Sequence, residues 1–263
     1  MTMVLLVRHG LTATTGKALT GWLPGISLDD RGQAQAAALA ARLAQVPLAA
    51  IVSSPLERCA QTAMAIASGQ AASGQAPSAQ VDLGQPDAST LAVQIDDRLG
   101  ECRYGDWTGQ PLRKLARDPL WRVVQSHPSA VRFPGPDGES MMAMQQRAVA
   151  AVREWNEKLG KDVSYLVCSH GDVIKAILAD ALGMHLDMSQ RIQVDPCSLS
   201  VVRYSTLRPF VLRMNDTGTD ATALAGLVGK RARARAESDA QIGGGAGSGR
   251  GAESADGARA PVA

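Results

Sequence analysis

Three short motifs in this sequence place arginine and histidine beside glycine or at a helix start. They are Arg8-His9-Gly10, Ser54-Pro55-Leu56-Glu57-Arg58 and Ser169-His170-Gly171. Arginine can bind the non-bridging oxygens of a phosphate in a bidentate manner, and the free N–H groups of a helix start add partial positive charge. A neutral histidine nitrogen between such groups can attack phosphorus, and a second histidine can donate to an oxygen that gains charge in the transition state. The motifs therefore predict a site for phosphoryl chemistry.

Each motif follows a short apolar stretch that is predicted to be a strand. The predicted strands cover residues 3–7, 50–53, 163–168, 199–204 and 209–213, and the predicted helices run from Asp29-Asp30 to about Val46, from Pro55 onward, over 139–159 and over 172–182. Alternating strands and helices predict a three-layer α/β/α sandwich with a mostly parallel central sheet. Ligands of such sheets bind beyond the carboxyl ends of the strands, so two of the four histidines are expected at one rim.

One domain is predicted over residues 1–215, with two segments of biased composition. The chain has 263 residues, of which 45% are hydrophobic, and this is enough to bury a sizeable core. Residues 68–94 contain a stretch rich in Gly, Ala, Ser and Gln without periodicity, which predicts a flexible surface insertion. Residues 216–263 are rich in Ala, Gly, Ser and Arg, which predicts a disordered tail.

Composition also excludes several classes of partner. With 27 basic and 25 acidic residues the net charge is +2, so neither nucleic acid nor an anionic membrane is expected to bind. The four cysteines form no C-x-x-C pair, so neither a disulfide framework nor a metal site is predicted, as is typical of a reducing cytoplasm. No apolar run reaches the about 18 residues of a membrane helix, and the first strand runs directly into residues 8–10. We therefore expect a cytoplasmic protein, and the excess of Arg over Lys suggests a bacterial one.

Five blocks of the sequence resemble, in order and spacing, the histidine phosphatase superfamily, branch 1, a phosphoglycerate mutase-like group. Residues 6–12 (LVRHGLT) are similar to its R-H-G-x-T signature, and residues 99–109 (LGECRYGDWTG) to its acid-bearing L-x-E-x-x-x-G-x-W-x-G. The other blocks are residues 28–35, 53–63 and 167–171. The resemblance covers residues 3–213 and implies the phosphoglycerate mutase-like fold.

The resemblance also implies a role for each residue of the motifs. His9 would be the nucleophile that forms a phosphohistidine, and Arg8, Arg58 and His170 would bind the phosphoryl group with it. Glu101 would protonate the leaving oxygen and then deprotonate the attacking water. A carboxyl group beside departing phosphate oxygens should hold its proton more readily than a solvated one. This chemistry requires no metal and no cofactor.

Weaker candidates for the substrate pocket lie in the loops. They are Thr12, Thr15, Gly21, Trp22 and Trp107. The two tryptophans either wall the substrate entrance or pack the loops, and the sequence favours neither. Specificity is expected to come from the loops over residues 11–27 and 103–140.

Other polar residues near the motifs receive structural assignments. Asp172 is predicted to be the N-cap of the helix that follows His170. If Glu101 is not the acid, Asp106 and Asp172 are the next candidates for that role. Cys59, Cys102 and Cys168 lie beside site residues but have no base as a partner, so they are expected to pack as small residues.

Two activities share this machinery, a phosphatase that transfers the phosphoryl group to water and a mutase that returns it to a hydroxyl. The mutases of this group usually carry Glu and Asn where this chain has Leu11 and Thr15, and they carry a basic pattern after the acid that this chain lacks. These departures favour a phosphatase.

A third possibility is a phospholigand-binding protein without turnover, against which the complete set of two arginines, two histidines and one acid argues. The expected partner is a small phosphorylated metabolite, and a homodimer is possible.

Overall fold

A computed structural model describes residues 1–74 and 91–218, and six strands in this part of the chain form one sheet. The strands are β1 (Thr2–Arg8), β2 (Ile51–Ser53), β3 (Val93–Ile95), β4 (Val163–Ser169), β5 (Leu199–Tyr204) and β6 (Pro209–Asp216). Their order is β3-β2-β4-β1-β5-β6. The first four in this order are parallel, whereas β5 is antiparallel to β1 and β6 is antiparallel to β5. This confirms the mostly parallel central sheet.

The helices follow the alternation that the sequence predicts. The α-helices of the described residues are α1 (Asp30–Leu43), α2 (Glu57–Ala72), α3 (Leu112–Leu115), α4 (Pro119–Ser126), α5 (Met141–Leu159) and α6 (Gly171–Ala181). Short 3-10 helices cover Asp97–Leu99, Gly105–Trp107, Pro128–Ala130 and Leu186–Arg191. Within the described ranges, no helix is long and apolar enough to cross a membrane.

Alternate residues of β1 pack into two separate cores, one on each face of the sheet. Val4 and Leu6 lie in the core that includes residues of α5 and α6, whereas Leu5 and Val7 lie in the core that includes residues of α1 and α2. Each fully buried aliphatic side chain of this kind stabilises the fold by roughly 1.5–3 kcal/mol. Helices therefore cover both faces of the sheet, which confirms the three-layer α/β/α sandwich.

One helix start agrees with the sequence prediction and two differ from it. Asp29 caps α1 as expected, because its side chain accepts from the N–H of Gly32. The N-cap of α6 is His170, so the prediction of Asp172 as its cap is wrong. Gly171 already has a helical conformation, which moves Asp172 into the first turn. Pro55 precedes α2, whose first residue is Glu57, and so lies just outside the helix.

The ends of the predicted insertion also need correction. Residues 68–72 continue α2, where the buried side chain of Gln70 donates to the carbonyl of Leu43 at 2.5 Å. Residues 93 and 94 belong to β3, which pairs with β2. The intervening residues 75–90 and most of the predicted tail, residues 219–263, lie outside the described residues. Residue 216, assigned to the tail, is the last residue of β6.

Two glycines allow the start of α1 to pack directly against the turn that follows β1. A Cβ atom on Gly10 would lie 2.6 Å from the carbonyl oxygen of Gly32, and a Cβ atom on Gly32 would lie 2.0 Å from the carbonyl oxygen of Leu11. Both distances are too short for any side chain. This close approach fixes the position of the backbone immediately after the predicted nucleophile, His9.

We predict that Gly32→Ala destabilises the fold by about 1–3 kcal/mol, because the added methyl group forces the turn away from α1. Urea unfolding of the variant measures this loss. Gln33→Ala, at the exposed next position of the same helix, serves as the control and should leave the free energy of unfolding nearly unchanged. Equal stability of the two variants would contradict the packing described here.

Candidate active site

The parallel pairing of β1 and β4 brings two of the predicted site residues together. Arg8 lies opposite Ser169 in the register, so the two histidines that follow them leave the sheet side by side. The rings of His9 and His170 are 5.2 Å apart, centroid to centroid, and meet edge to face. Both rings are buried. The two strand ends therefore lie together at one edge of the sheet.

Hydrogen bonding determines which nitrogen of His9 carries the proton. Its Nδ1 lies 2.8 Å from the carbonyl oxygen of Gly10, which can only accept, so Nδ1 is the protonated nitrogen. Burial lowers the pKa of His9 well below its ordinary value, and the charges of Arg58 and Arg8 lower it further. The ring is therefore neutral at pH 7, with the lone pair of Nε2 directed towards Arg58.

Arg58, in the first turn of α2, connects the two histidines. Its Nε donates to Nε2 of His9 at 3.3 Å, and its Nη2 donates to the carbonyl of Gly21 at 2.9 Å and to Nδ1 of His170 at 3.3 Å. A guanidinium group only donates, so Nε2 is the protonated nitrogen of His170, and it donates to Oγ of Ser54 at 2.8 Å. A cation in the first turn of a helix is unfavourable by itself, and a bound anion would offset this cost.

Arg8, the last residue of β1, is the second cation of the site and is 1% exposed. Its Nη1 donates to the carbonyl of Val194 at 2.6 Å. Burial lowers its pKa, whereas the carboxylates of Glu101, Asp195 and Asp172 raise it. These acidic groups support a charged guanidinium in an otherwise dry location.

Glu101 presents its carboxyl group to the histidine pair from the segment that follows β3. It is 3% exposed, its Oε1 accepts from the N–H of Cys102 at 3.0 Å, and its Oε2 lies 3.9 Å from Nδ1 of His170. Burial and, to a smaller extent, the charge of Asp172 raise its pKa, Arg58 opposes them, and the result is a pKa of about 7. A carboxyl group with this pKa can both give and take a proton at neutral pH.

A buried polar chain behind Glu101 was not found from the sequence. The hydroxyl of Tyr104 donates to Oδ2 of Asp172 at 2.9 Å, and Nζ of Lys175 lies 3.9 Å from Oδ1 of the same carboxylate. Lys175 also donates to Oε1 of Gln190 at 2.9 Å. The sequence feature that could have revealed this chain is the pair of opposite charges, Asp172 and Lys175, in the otherwise largely apolar helix α6.

The threonines and Gly21 of the weaker prediction have local hydrogen-bond roles. The hydroxyl of Thr12 lies 3.0 Å from that of Thr14 and 2.9 Å from that of Thr15, and the N–H of Thr12 donates to Oγ1 of Thr15. These bonds order the turn after the first histidine. Gly21 contributes its carbonyl oxygen to Arg58.

The two tryptophans, for which the sequence left two roles open, have different environments. Trp107 is 4% exposed and packs against Trp121 and Phe133 in the core, with ring centroids 6.1 and 5.5 Å apart. Trp22 is half-buried and donates from Nε1 to the backbone carbonyl of Glu101 at 2.6 Å, while the guanidinium of Arg103 lies 4.0 Å above its ring. Trp107 therefore packs a loop, whereas Trp22 contacts the segment that carries the acid.

The cysteines beside the site are buried and have no disulfide partner. Burial raises the pKa of Cys102 and Cys168 well above the ordinary value, which keeps both thiols neutral. Cys59 packs with its sulfur 3.4 Å from Nε2 of His170. Among the described residues, no group of three or more His, Cys, Asp or Glu side chains is arranged to hold a metal ion.

The arrangement is suited to phosphoryl transfer, because the neutral ring of His9 lies beside two cations and a carboxyl group whose pKa is close to neutral pH. The fold and the site thus define an α/β enzyme that handles phosphate groups. The family model of the histidine phosphatase superfamily (branch 1) matches residues 4–217, and the chain belongs to this family. The family predicted from the sequence is confirmed.

Individual relatives agree with this membership. The chain is 28% identical over 226 residues to phosphoserine phosphatase 1 of Hydrogenobacter thermophilus, covering 82% of this chain and 93% of that protein. It is 30% identical over 206 residues to the probable phosphoglycerate mutase GpmB of Yersinia pestis, covering 78% and 86%. Among solved structures it resembles YhfR of Bacillus stearothermophilus with a TM-score of 0.68 and 25% identity, covering 82% and 98%. The chain is thus a phosphatase-family enzyme, as the sequence predicts.

We predict that Asp172→Asn lowers the pKa of Glu101, because the substitution removes the neighbouring negative charge and keeps an oxygen that can accept from Tyr104. The midpoint of the Glu101 titration, followed by carbon-13 NMR of labelled glutamate, should move to lower pH. Asp180→Asn, on the same helix but in an exposed ion pair with Arg153, should leave that midpoint in place. An unchanged midpoint in Asp172→Asn would refute the electrostatic coupling.

Proposed function

We propose that this enzyme is a metal-independent phosphomonoester hydrolase that acts on a small phosphorylated metabolite through a phosphohistidine. The observation that carries the proposal is the state of His9. Its Nδ1–H is bound to the carbonyl of Gly10, and its neutral Nε2 lies beside the guanidinium of Arg58. A nucleophile held in this tautomer needs no base to activate it.

In the first step, the phosphoryl group of the substrate binds between Arg58 and the two histidines and replaces the hydrogen bonds between them. Nε2 of His9 attacks phosphorus, the bond from phosphorus to the ester oxygen breaks, and Glu101 gives its proton to that oxygen. Arg8 and Arg58 neutralise the charge on the equatorial oxygens. Once Arg58 has left Nδ1 of His170, the ring takes its other tautomer, in which Nδ1–H donates to one of these oxygens and Nε2 accepts from the hydroxyl of Ser54. The products are a phosphohistidine, an alcohol and an ionised Glu101.

In the second step, the Glu101 carboxylate takes a proton from water. The water oxygen attacks phosphorus, the bond from phosphorus to Nε2 of His9 breaks, and inorganic phosphate leaves. The ring returns to its neutral form and the carboxyl group is protonated again. A pKa of about 7 suits both steps, since the same group must be an acid first and a base afterwards.

Water is proposed as the acceptor because the chain departs from the mutase pattern near the nucleophile. Leu11 offers no polar group to a second substrate hydroxyl, and the Thr15 hydroxyl is engaged by Thr12. The relatives support both classes, since one is a phosphoserine phosphatase and another a probable phosphoglycerate mutase. A mutase is therefore the second candidate, and release of inorganic phosphate against isomerisation of a phosphorylated acid separates the two.

His9→Ala is predicted to abolish the covalent adduct. Wild-type enzyme, mixed with phosphate-labelled substrate in EDTA and stopped in alkali, should yield a base-stable, acid-labile phosphohistidine, and the variant should yield none. The exposed His127 provides the control, because His127→Ala should retain both label and turnover. Label that persists in His9→Ala, or activity that EDTA removes and a divalent ion restores, would overturn the mechanism.

Glu101→Gln separates the two chemical steps. With an alkyl phosphate, whose alkoxide leaves poorly without a proton, the variant should slow phosphoryl transfer by about 10²–10⁴. With p-nitrophenyl phosphate the first step should be largely retained, so that phosphohistidine accumulates because water is no longer activated. Rapid-quench kinetics measures both steps. Asp106→Asn, at an exposed carboxylate in the 3-10 helix Gly105–Trp107, is the control and should change neither step. Equal slowing of the first step for both substrates would make Glu101 a structural residue.

A further inference from the structure

We infer that Arg147 and Glu139 are positioning residues for the acid: together they hold the backbone of residues 98–103 so that the carboxyl group of Glu101 faces the histidine pair. Neither residue was predicted from the sequence. The inference rests on the proposed function, because it concerns the aim of the group that exchanges the proton.

The side chain of Arg147, on α5, binds backbone carbonyl groups of residues 98–101, the segment that carries Glu101. Its Nη1 donates to the carbonyls of Arg98 at 2.6 Å and Gly100 at 2.8 Å, and its Nη2 donates to the carbonyl of Glu101 at 3.0 Å. One side chain thus binds three carbonyls within four residues. The carbonyl of Arg98 lies in the 3-10 helix Asp97–Leu99, and those of Gly100 and Glu101 lie in the irregular segment that follows it.

Glu139 binds both the guanidinium of Arg147 and the backbone of Arg103. Its Oε1 accepts from Nε of Arg147 at 2.7 Å and its Oε2 from Nη2 at 2.9 Å, in a bidentate pair. The same Oε2 accepts from the N–H of Arg103 at 3.1 Å, and the N–H of Glu139 donates to the carbonyl of Arg103 at 2.8 Å. The backbone is therefore held at Glu101 itself and two residues beyond it.

The pair is suited to this task because of its geometry. The five hydrogen bonds of Arg147 match the five N–H donors of a planar guanidinium, whereas lysine offers three donors at a single point. The side chains of Arg147 and Glu139 are 21% and 12% exposed, so water competes weakly for these bonds. Hydrogen bonds from charged groups are about twice as strong as neutral ones.

The hydrogen bond to the carboxyl group of Glu101 comes from the backbone of its own segment. Oε1 is held by the N–H of the next residue, Cys102, so the aim of the side chain follows the local backbone. The backbone carbonyl of Glu101 accepts from Arg147 and from Trp22. A displacement of about 1 Å in such a group can lower a rate about 10²-fold. Loss of the hydrogen bonds from the Arg147 guanidinium should therefore slow the steps in which Glu101 gives or takes a proton.

The test uses Arg147→Lys in the full-length enzyme, with rapid-quench kinetics on an alkyl phosphate and on p-nitrophenyl phosphate. The variant should slow phosphoryl transfer from the alkyl phosphate by about 10–100-fold. It should leave the nitrophenol burst nearly unchanged. Arg153→Lys, an exposed arginine on the same helix, is the matched control and should change neither rate.

A double-mutant cycle distinguishes positioning from a general structural role. Once Glu101→Gln has removed the acid, adding Arg147→Lys should cause little further loss with the alkyl phosphate, because the positioned group is absent. Effects that multiply, or a nitrophenol burst that falls as much as the alkyl rate, would overturn the inference. If Arg147→Lys fails to fold, Glu139→Gln takes its place, with the same expectations.

Failure of this inference is distinguishable from failure of the proposed function. If Glu101→Gln behaves as the mechanism requires while Arg147→Lys and Glu139→Gln match wild type, only the positioning role is lost. If wild-type enzyme forms no phosphohistidine, or Glu101→Gln has no effect on the alkyl substrate, the proposed function fails and the inference with it.

Discussion

The parallel pairing of β1 with β4 is the constraint on which the site depends. Parallel strands end at the same edge of a sheet, and the register of this pair is continuous from Thr2 opposite Val163 to Arg8 opposite Ser169. A slip of one residue would turn the buried face of β1 to the opposite core and separate the two histidines. The many buried aliphatic side chains that fix this register therefore also fix the spacing of polar groups that contribute little to stability themselves.

Burial then sets the protonation states from which the chemistry follows. The same loss of solvation lowers the pKa of both histidines and raises that of Glu101, because each shift favours the neutral form. Two arginines remain as the cations, and nearby carboxylates support the charge of Arg8. In this structure Arg58 bonds to both imidazole rings. A phosphate group offers it a stronger, charge-assisted partner, so binding would release the lone pair of His9.

The sequence predicts the site residues that follow strands directly, but not those that depend on contacts between residues far apart in the chain. His9 and His170 were predictable, because each stands at the end of its own strand and sheet topology brings the strand ends together. Arg147 lies 46 residues after Glu101 and reaches it only through the packing of α5, which no local pattern encodes. Asp172 was assigned to a cap from its neighbours alone, whereas the hydroxyl of Tyr104, 68 residues away, gives it a buried partner.

The backbone of Glu101 connects the loop between β1 and α1 with α5. Its carbonyl oxygen accepts from Trp22, in the loop between β1 and α1, and from Arg147 on α5, so both lone pairs of that oxygen are used. Trp22 approaches so closely that a Cβ atom on Gly100 would lie 2.3 Å from the indole ring. One residue before Trp22, the carbonyl of Gly21 accepts from Arg58, so this loop contacts both Glu101 and Arg58. In the proposed mechanism, a change in this loop would therefore also act on the acid, whose backbone the guanidinium of Arg147 holds from the other side.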